Sequence, residues 1–175
     1  MRLPRLAVLA IGAVTLLPTT FACSGDEEPA AAGACGEGSL DEAPEDLACT
    51  GLYTDITTKA IAPSARAFAP AVAFWSDGLD KDRFIALPDG TTIDATSADD
   101  WRFPVGTKAW KEIKKGPKKI ETRFFMKVKD DKWLQAAYVW SDDGLKATRA
   151  DGKDITVDGA PYHIPSSSEC SDCHR

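Results

Sequence analysis

The clearest pattern of hydrophobic and polar positions in this chain spans residues 122–140. Apolar residues recur at every second position over 122–129 and again over 132–140, and Asp130 and Asp131 separate the two runs. A period of two indicates half-buried strands, and a short polar pair between them indicates a hairpin turn. The residues predicted to share the buried face are Phe124, Met126, Val128, Leu134, Ala136, Tyr138 and Trp140.

Short apolar stretches separated by frequent turn residues continue over the rest of residues 52–164, which is typical of antiparallel strands. Pro63 limits residues 57–68 to one short helical turn. We therefore predict a mainly β, antiparallel, β-sandwich-like domain over residues 50–165. Its further strands are predicted at residues 71–75, 83–86, 91–93, 109–113 and 154–157, with turns at Asp77-Gly78, Asp89-Gly90, Gly116-Pro117, Asp143-Gly144, Asp151-Gly152 and Asp158-Gly159.

The N-terminal 22 residues have the organisation of an export signal. Arg2 and Arg5 precede an apolar stretch over residues 6–17, and Ala22 stands directly before Cys23. This stretch is shorter than the roughly 20 apolar residues that a spanning helix needs. A buried core helix is the alternative, but Pro18 and a polar tail interrupt it.

The four residues Thr20-Phe21-Ala22-Cys23 resemble the lipobox of bacterial lipoproteins, with Ala22 matching and Thr20 and Phe21 departing from it. The resemblance implies that Cys23 is lipidated and becomes the mature N-terminus, and plain secretion is the alternative. Acyl chains hold a protein on a membrane because each buried methylene contributes roughly 0.8 kcal/mol. We expect a lipid-anchored protein of the bacterial envelope, periplasmic or at the cell surface.

Residues 23–49 are acidic and contain few large apolar side chains, so we predict a disordered tether between membrane and domain. Cys35 and Cys49 lie within this segment. Because exported proteins meet an oxidising compartment, we predict a disulfide between these two residues. Two free thiols in a loop are the alternative.

The whole chain has 175 residues and a net charge of −6, which fits one domain and argues against nucleic acid as a partner. Basic residues are nevertheless concentrated around one Gly-Pro turn. We expect them to form either a solvated hairpin tip or a docking patch for an acidic redox partner. A docking patch would mainly increase the rate of association with that partner. These residues are Lys111, Lys114, Lys115, Lys118 and Lys119.

The C-terminal segment, residues 166–175, contains the pentapeptide Cys170-Ser171-Asp172-Cys173-His174. Two cysteines three residues apart on one helical turn can form thioether bonds with the two vinyl groups of one haem. The adjacent imidazole can then bind the iron. The spacing predicts haem c attachment at Cys170 and Cys173, with His174 as the proximal iron ligand.

Three other interpretations of the pentapeptide remain open. A thioredoxin-like redox pair would open a helix after a strand, whereas this motif ends the chain. A zinc site would use Cys170, Cys173, His174 and His163. A disulfide between Cys170 and Cys173 would leave His174 idle. For the sixth iron position the candidates are His163 and Met126, and His163 is alternatively a hydrogen-bonding residue at a strand end.

Several segments in a fixed order resemble a family of exported bacterial proteins with a cytochrome c-like haem motif, most of whose members are uncharacterised. The resemblance implies haem c, an electron-transfer role and a redox partner protein. Members of that family usually continue beyond the haem motif, so residues 166–175 are alternatively the start of a truncated cytochrome c-like domain. The segments are residues 74–78, 101–108, 121–123, 138–140 and 164–166, followed by 169–174.

These observations predict an exported haem c-binding protein that acts in electron transfer as a carrier or accessory domain. The alternative is an envelope lipoprotein of binding or structural type, whose terminal cysteines form a disulfide or a zinc site. An enzyme is less expected, since the sequence offers two histidines and no carboxylate pair at a diagnostic spacing.

Overall fold

The computed structural model describes residue 35, residues 41–73 and residues 78–173. The predicted signal peptide, Cys23, His174 and Trp75 lie outside this part. Neither of the two helices in the described residues has the length and apolarity needed to cross a bilayer. The elements are a 3-10 helix (Leu47–Thr50), β1 (Tyr53–Asp55), β2 (Ala60–Ile61), β3 (Arg66–Ala67), β4 (Asp80–Ala86), β5 (Lys108–Lys115), β6 (Lys118–Lys129), β7 (Lys132–Trp140), β8 (Ala147–Ala150), β9 (Lys153–Val157), β10 (Ala160–Ile164) and α1 (Ser167–Cys173).

The fold is mainly β and antiparallel, as predicted. Strands β3 to β8 form one six-stranded sheet in which each strand pairs with the next in sequence. Strands β1 and β2 form one two-stranded ribbon, and β9 and β10 form another. The sandwich-like arrangement therefore consists of one large meander with two small ribbons.

One face of the large sheet, which we call the core face, carries the main hydrophobic core. Cross-strand register places Trp110, Phe124 and Ala136 side by side on it, because directly paired residues point to the same side of a sheet. Residues 43–65 cover this face with Leu47, Leu52 and other buried side chains. Each fully buried large side chain contributes about 1.5–3 kcal/mol to folding.

The other face, which we call the outer face, carries the alternate residues, including Arg83, Lys111, Arg123 and the fully buried Glu121. Strand β10 lies on this side, since the Tyr162 hydroxyl donates a hydrogen bond to Glu121 Oε2 at 2.6 Å. Helix α1 packs against β7. The outer face is thus the side of the sheet on which the C-terminal segment lies.

The predicted hairpin is confirmed: β7 has the predicted bounds, and β6 begins four residues before the predicted strand. Strands predicted at 83–86, 109–113 and 154–157 are also present and slightly longer. At the Asp158-Gly159 turn both residues have positive φ, 50° and 82°, which suits the tight turn between β9 and β10.

Three local predictions are wrong. Residues 91–93 form no strand, and neither do residues 71–73, the described part of the strand predicted at 71–75. Residues 57–68 contain no helical turn. They contain the β1–β2 turn followed by β2 and β3, and Lys59 in this turn has a left-handed φ of 63°, which is incompatible with a helix.

The predicted disulfide is confirmed. Cys35 and Cys49 are bonded, with their Cα atoms 5.3 Å apart and Cys49 in the 3-10 helix. Residues 43–49, predicted to be part of a disordered tether, belong instead to the segment that covers the core face, since Leu47 is fully buried there. The bond joins residue 35 to this segment.

Candidate functional site

Helix α1 carries the cysteine motif, and its start is fixed by local hydrogen bonds. Glu169 Oε2 accepts from the Ser166 backbone N–H at 2.7 Å, and Ser166 Oγ accepts from the Glu169 N–H at 3.3 Å. This reciprocal pair is the capping box expected of Ser-x-x-Glu. The helix extends to Cys173, so Cys170 and Cys173 lie three residues apart on one helix, as predicted.

His163 fastens the start of α1 to the β9–β10 ribbon. Its Nδ1 lies 2.6 Å from Asp154 Oδ1, and its Nε2 lies 3.2 Å from both carboxylate oxygens of Glu169. The hydrogen bonds to the two carboxylates raise the pKa of His163 above its usual value. Hydrogen bonds from Ser166 and His163 lower the pKa of Glu169 to about 2. Both ring nitrogens of His163 are therefore engaged, and binding iron through Nε2 would require it to leave Glu169.

Cys170 is a free thiol that points into the protein and is only 6% exposed. It lies close enough to Arg123, Glu121 and Lys111 to interact with them electrostatically. Burial raises the pKa of its thiol, and the neighbouring cations oppose this only in part. Cys170 thus lies at the outer face as a free thiol.

Glu121 is the buried acid beside Cys170, with a side chain that is 0% exposed. Arg123 pairs with both of its oxygens, Nε at 2.6 Å and Nη2 at 3.3 Å, and the Tyr162 hydroxyl donates to it as well. Such multiple charge-assisted bonds offset the cost of burying a carboxylate. Burial raises the pKa of Tyr162, so this hydroxyl remains a donor at neutral pH.

Arg123 of this pair also belongs to a row of three cationic residues that crosses three strands on the outer face. We call it the cationic row. Arg83 of β4 is paired directly with Lys111 of β5, and Lys111 is paired directly with Arg123 of β6. Burial and the neighbouring Arg123 lower the pKa of Lys111 to about 8. Glu121 is the acidic group that acts on Lys111, and it is already bonded to Arg123.

The other candidate ligands are not gathered at this site. Met126 is buried on the core face, so the sheet separates it from Cys170. Within the described residues no three His, Cys, Asp or Glu side chains are arranged to hold a metal ion. His174, the predicted proximal ligand, lies outside the described part.

The predicted lysine patch is not one free cationic surface. Lys115 pairs with Asp158 at 2.8 Å and Lys118 with Asp142 at 3.1 Å. Lys114 pairs with Asp82 and Lys119 with the buried Glu112. Lys111 lies on the outer face, directly opposite Arg83 and Arg123 on the neighbouring strands.

We expect the Cys170 thiol of the folded protein without haem to react slowly with iodoacetamide. Its burial excludes the reagent, and its raised pKa reduces the thiolate that attacks. At about pH 8 its rate, followed by peptide mass spectrometry, should be at least about tenfold lower than in concentrated urea. Equal rates in both conditions would mean that α1 does not hold Cys170 against the sheet.

A scan against protein-family models, a search of curated proteins and a search of solved structures found no match to this chain. The resemblance inferred from the ordered motifs stays a prediction.

Proposed function

We propose that this chain is an exported haem c-binding protein that acts in electron transfer, as a carrier or an accessory domain. Cys170 and Cys173 would form the thioether bonds, and His174 would be the proximal iron ligand. The observation that carries the proposal is the placement of Cys170 and Cys173 on one capped helix, with Cys170 a free thiol. Bound in this way, haem supplies reversible one-electron transfer.

The donor set fits haem c in its chemistry. Two thiols at this spacing and an adjacent imidazole match the requirements of one porphyrin edge and its iron. The free state of Cys170 argues against the disulfide alternative, and the engaged nitrogens of His163 argue against the four-ligand zinc alternative. We do not assign His163 or Met126 to the sixth iron position.

The packing of Cys170 implies an order of events. A thiol buried against the outer face is inaccessible to a bulky porphyrin, so haem would be attached to Cys170 while α1 is not yet docked on the sheet. The capping box and the His163 contacts then hold the start of the helix in place. In this scheme the β domain supplies a rigid support, and the C-terminal segment supplies the redox group.

We also propose that lipid at Cys23 anchors the protein to the envelope, periplasmic or at the cell surface, and that the acidic tether separates the domain from the membrane. The confirmed Cys35–Cys49 disulfide supports an oxidising compartment. The redox partner would then be another envelope protein.

The test is the intact mass and visible spectrum of protein produced in a host that has haem-ligation machinery. We expect the mass to include one haem and the reduced protein to show a sharp α band. Cys170→Ser and Cys173→Ser should each remove one thioether bond, and the double variant should lose covalent haem entirely. Cys35→Ser is the matched control, since this cysteine is bonded elsewhere.

A mature wild-type protein whose mass is that of polypeptide and lipid alone would overturn the haem proposal. If this protein held zinc, or contained a Cys170–Cys173 disulfide, we would instead assign it as an envelope lipoprotein of binding or structural type.

A further inference from the structure

The cationic row concentrates positive charge in a protein whose overall charge is −6. Arg83, Lys111 and Arg123 occupy directly opposed positions on three neighbouring strands, which lie about 4.8 Å apart. Like charges that face each other across strands are destabilising. The fold does not require cations at these three positions, because uncharged polar residues would pair across the strands without this repulsion.

Among the described residues we find one acidic neighbour, Glu121, for the three cations of the row. Glu121 is the acid on this face that acts on Lys111, and Arg123 and Tyr162 already occupy it. Lys81, on the same face of β4, also acts electrostatically on Lys111. The three cations of the row therefore exceed the charge of Glu121, which is bonded directly to Arg123.

The three side chains remain within reach of a ligand. Arg83 and Lys111 are half-buried, and the Arg123 side chain is 25% exposed. Guanidinium groups bind carboxylates in a bidentate manner, and a lysine between them adds a point charge. Arg83 can bind one carboxylate in this way and Lys111 can bind a second, while Arg123, whose Nε and Nη2 are bonded to Glu121, adds its positive charge. The row therefore suits a ligand with two carboxylates better than a single small anion.

We propose that the row Arg83–Lys111–Arg123 is a binding site for a pair of carboxylates, located beside the thiol of Cys170. Two sources have this chemistry: the two propionates of a haem attached at Cys170, or a free dicarboxylate. The first source rests on the proposed function, because it requires the haem. The second does not.

Bound carboxylates would change the charge balance that Lys111 experiences. In the folded protein its pKa is about 8, below the ordinary lysine value. The free energy of unfolding of the protein without bound carboxylates should therefore rise as the pH increases from about 8 to 10.5. The groups that face Lys111 are Lys81, Arg83, Arg123 and Glu121, with Tyr162 and Cys170 nearby. A carboxylate pair would raise the pKa of Lys111 and remove this rise.

The first experiment uses the full chain produced without haem attachment and titrates it with succinate at low salt, with succinamide as the neutral analogue. We expect saturable binding of succinate alone. Lys111→Met and Arg83→Gln should each weaken it by about tenfold or more. Lys118→Met, at an exposed position outside the row, should leave it unchanged. Arg123 stays in place because it neutralises the buried Glu121.

Absence of saturable binding, unchanged affinity in Lys111→Met, or equal affinity for chloride would overturn the carboxylate site. Folding of each variant is checked by its urea unfolding midpoint. This outcome does not depend on haem, so it is distinguishable from failure of the proposed function.

The second experiment repeats the titration on protein that carries covalent haem. Loss of succinate binding, together with a pH dependence of the reduction potential that changes in Lys111→Met, identifies the propionates as the ligand. Retained succinate binding identifies the free dicarboxylate and excludes the propionates.

Discussion

Replacing Arg123 with methionine is expected to lower the free energy of unfolding by about 3 kcal/mol. Arg123 makes two hydrogen bonds with the carboxylate of Glu121, whose side chain is completely buried. Methionine keeps much of the side-chain volume but leaves the Glu121 carboxylate without Arg123. The Tyr162 hydroxyl, at 2.6 Å, would still donate a hydrogen bond to this carboxylate. Urea unfolding of the wild type and the variant measures the difference.

The control is the double variant Glu121→Met and Arg123→Met. Removing both charges removes the unpaired carboxylate, so this variant should recover most of the lost stability and lie within about 1.5 kcal/mol of the wild type. If Arg123→Met were as stable as the wild type, Glu121 would have to reach water. The described burial of the outer face beside Cys170 would then be wrong.

The central hairpin was predictable because its hydrophobic pattern and its turn residues indicate the same structure. The alternation over residues 122–140 has the period of a strand, and two aspartates provide the turn. The register of β6 and β7 accordingly places Phe124 opposite Ala136 and Met126 opposite Leu134, on the face that was predicted to be buried. Local information was sufficient here because both strands and their turn are contiguous.

The short N-terminal strands were not predictable for the opposite reason. Strands β1 to β3 have two or three residues each, too few to show a period. The conformation of β1 and β2 depends on packing against the core face and on the left-handed Lys59, and β3 depends on pairing with the distant strand β4. The stretches at 71–73 (Ala-Val-Ala) and 91–93 (Thr-Thr-Ile) resembled strands in composition, but no neighbouring strand pairs with them in the described residues.

The cysteine motif was visible from spacing alone, whereas its surroundings were not. The spacing of Ser166 and Glu169 is that of a capping box and indicates a helix start at this point. The cationic row depends on which residues of β4, β5 and β6 lie opposite each other, and the sequence does not specify this register before the strands are paired. Interactions over tens of residues, such as Tyr162 with Glu121, arise only from the fold.

Replacing Trp110 with alanine is expected to lower the free energy of unfolding by about 4 kcal/mol. The indole is only 1% exposed, packs on Phe124 with ring centroids 5.7 Å apart, and donates a hydrogen bond from Nε1 to Thr50 Oγ1 at 3.0 Å. It thereby joins the core face to the segment that covers it. Trp101→Ala, at a side chain that is 56% exposed, is the matched control and should change stability by at most about 0.5 kcal/mol.

The comparison of these two tryptophans also bears on where a cofactor can lie. If Trp110→Ala is strongly destabilising, residues 43–65 are an integral part of the domain and the core face is closed to a ligand. The outer face, with Cys170 and the cationic row, is then the side of the sheet available to the haem that we propose at α1. Equal stability of the two variants would mean that the covering segment detaches easily, and the assignment of the ligand to the outer face would lose its physical basis.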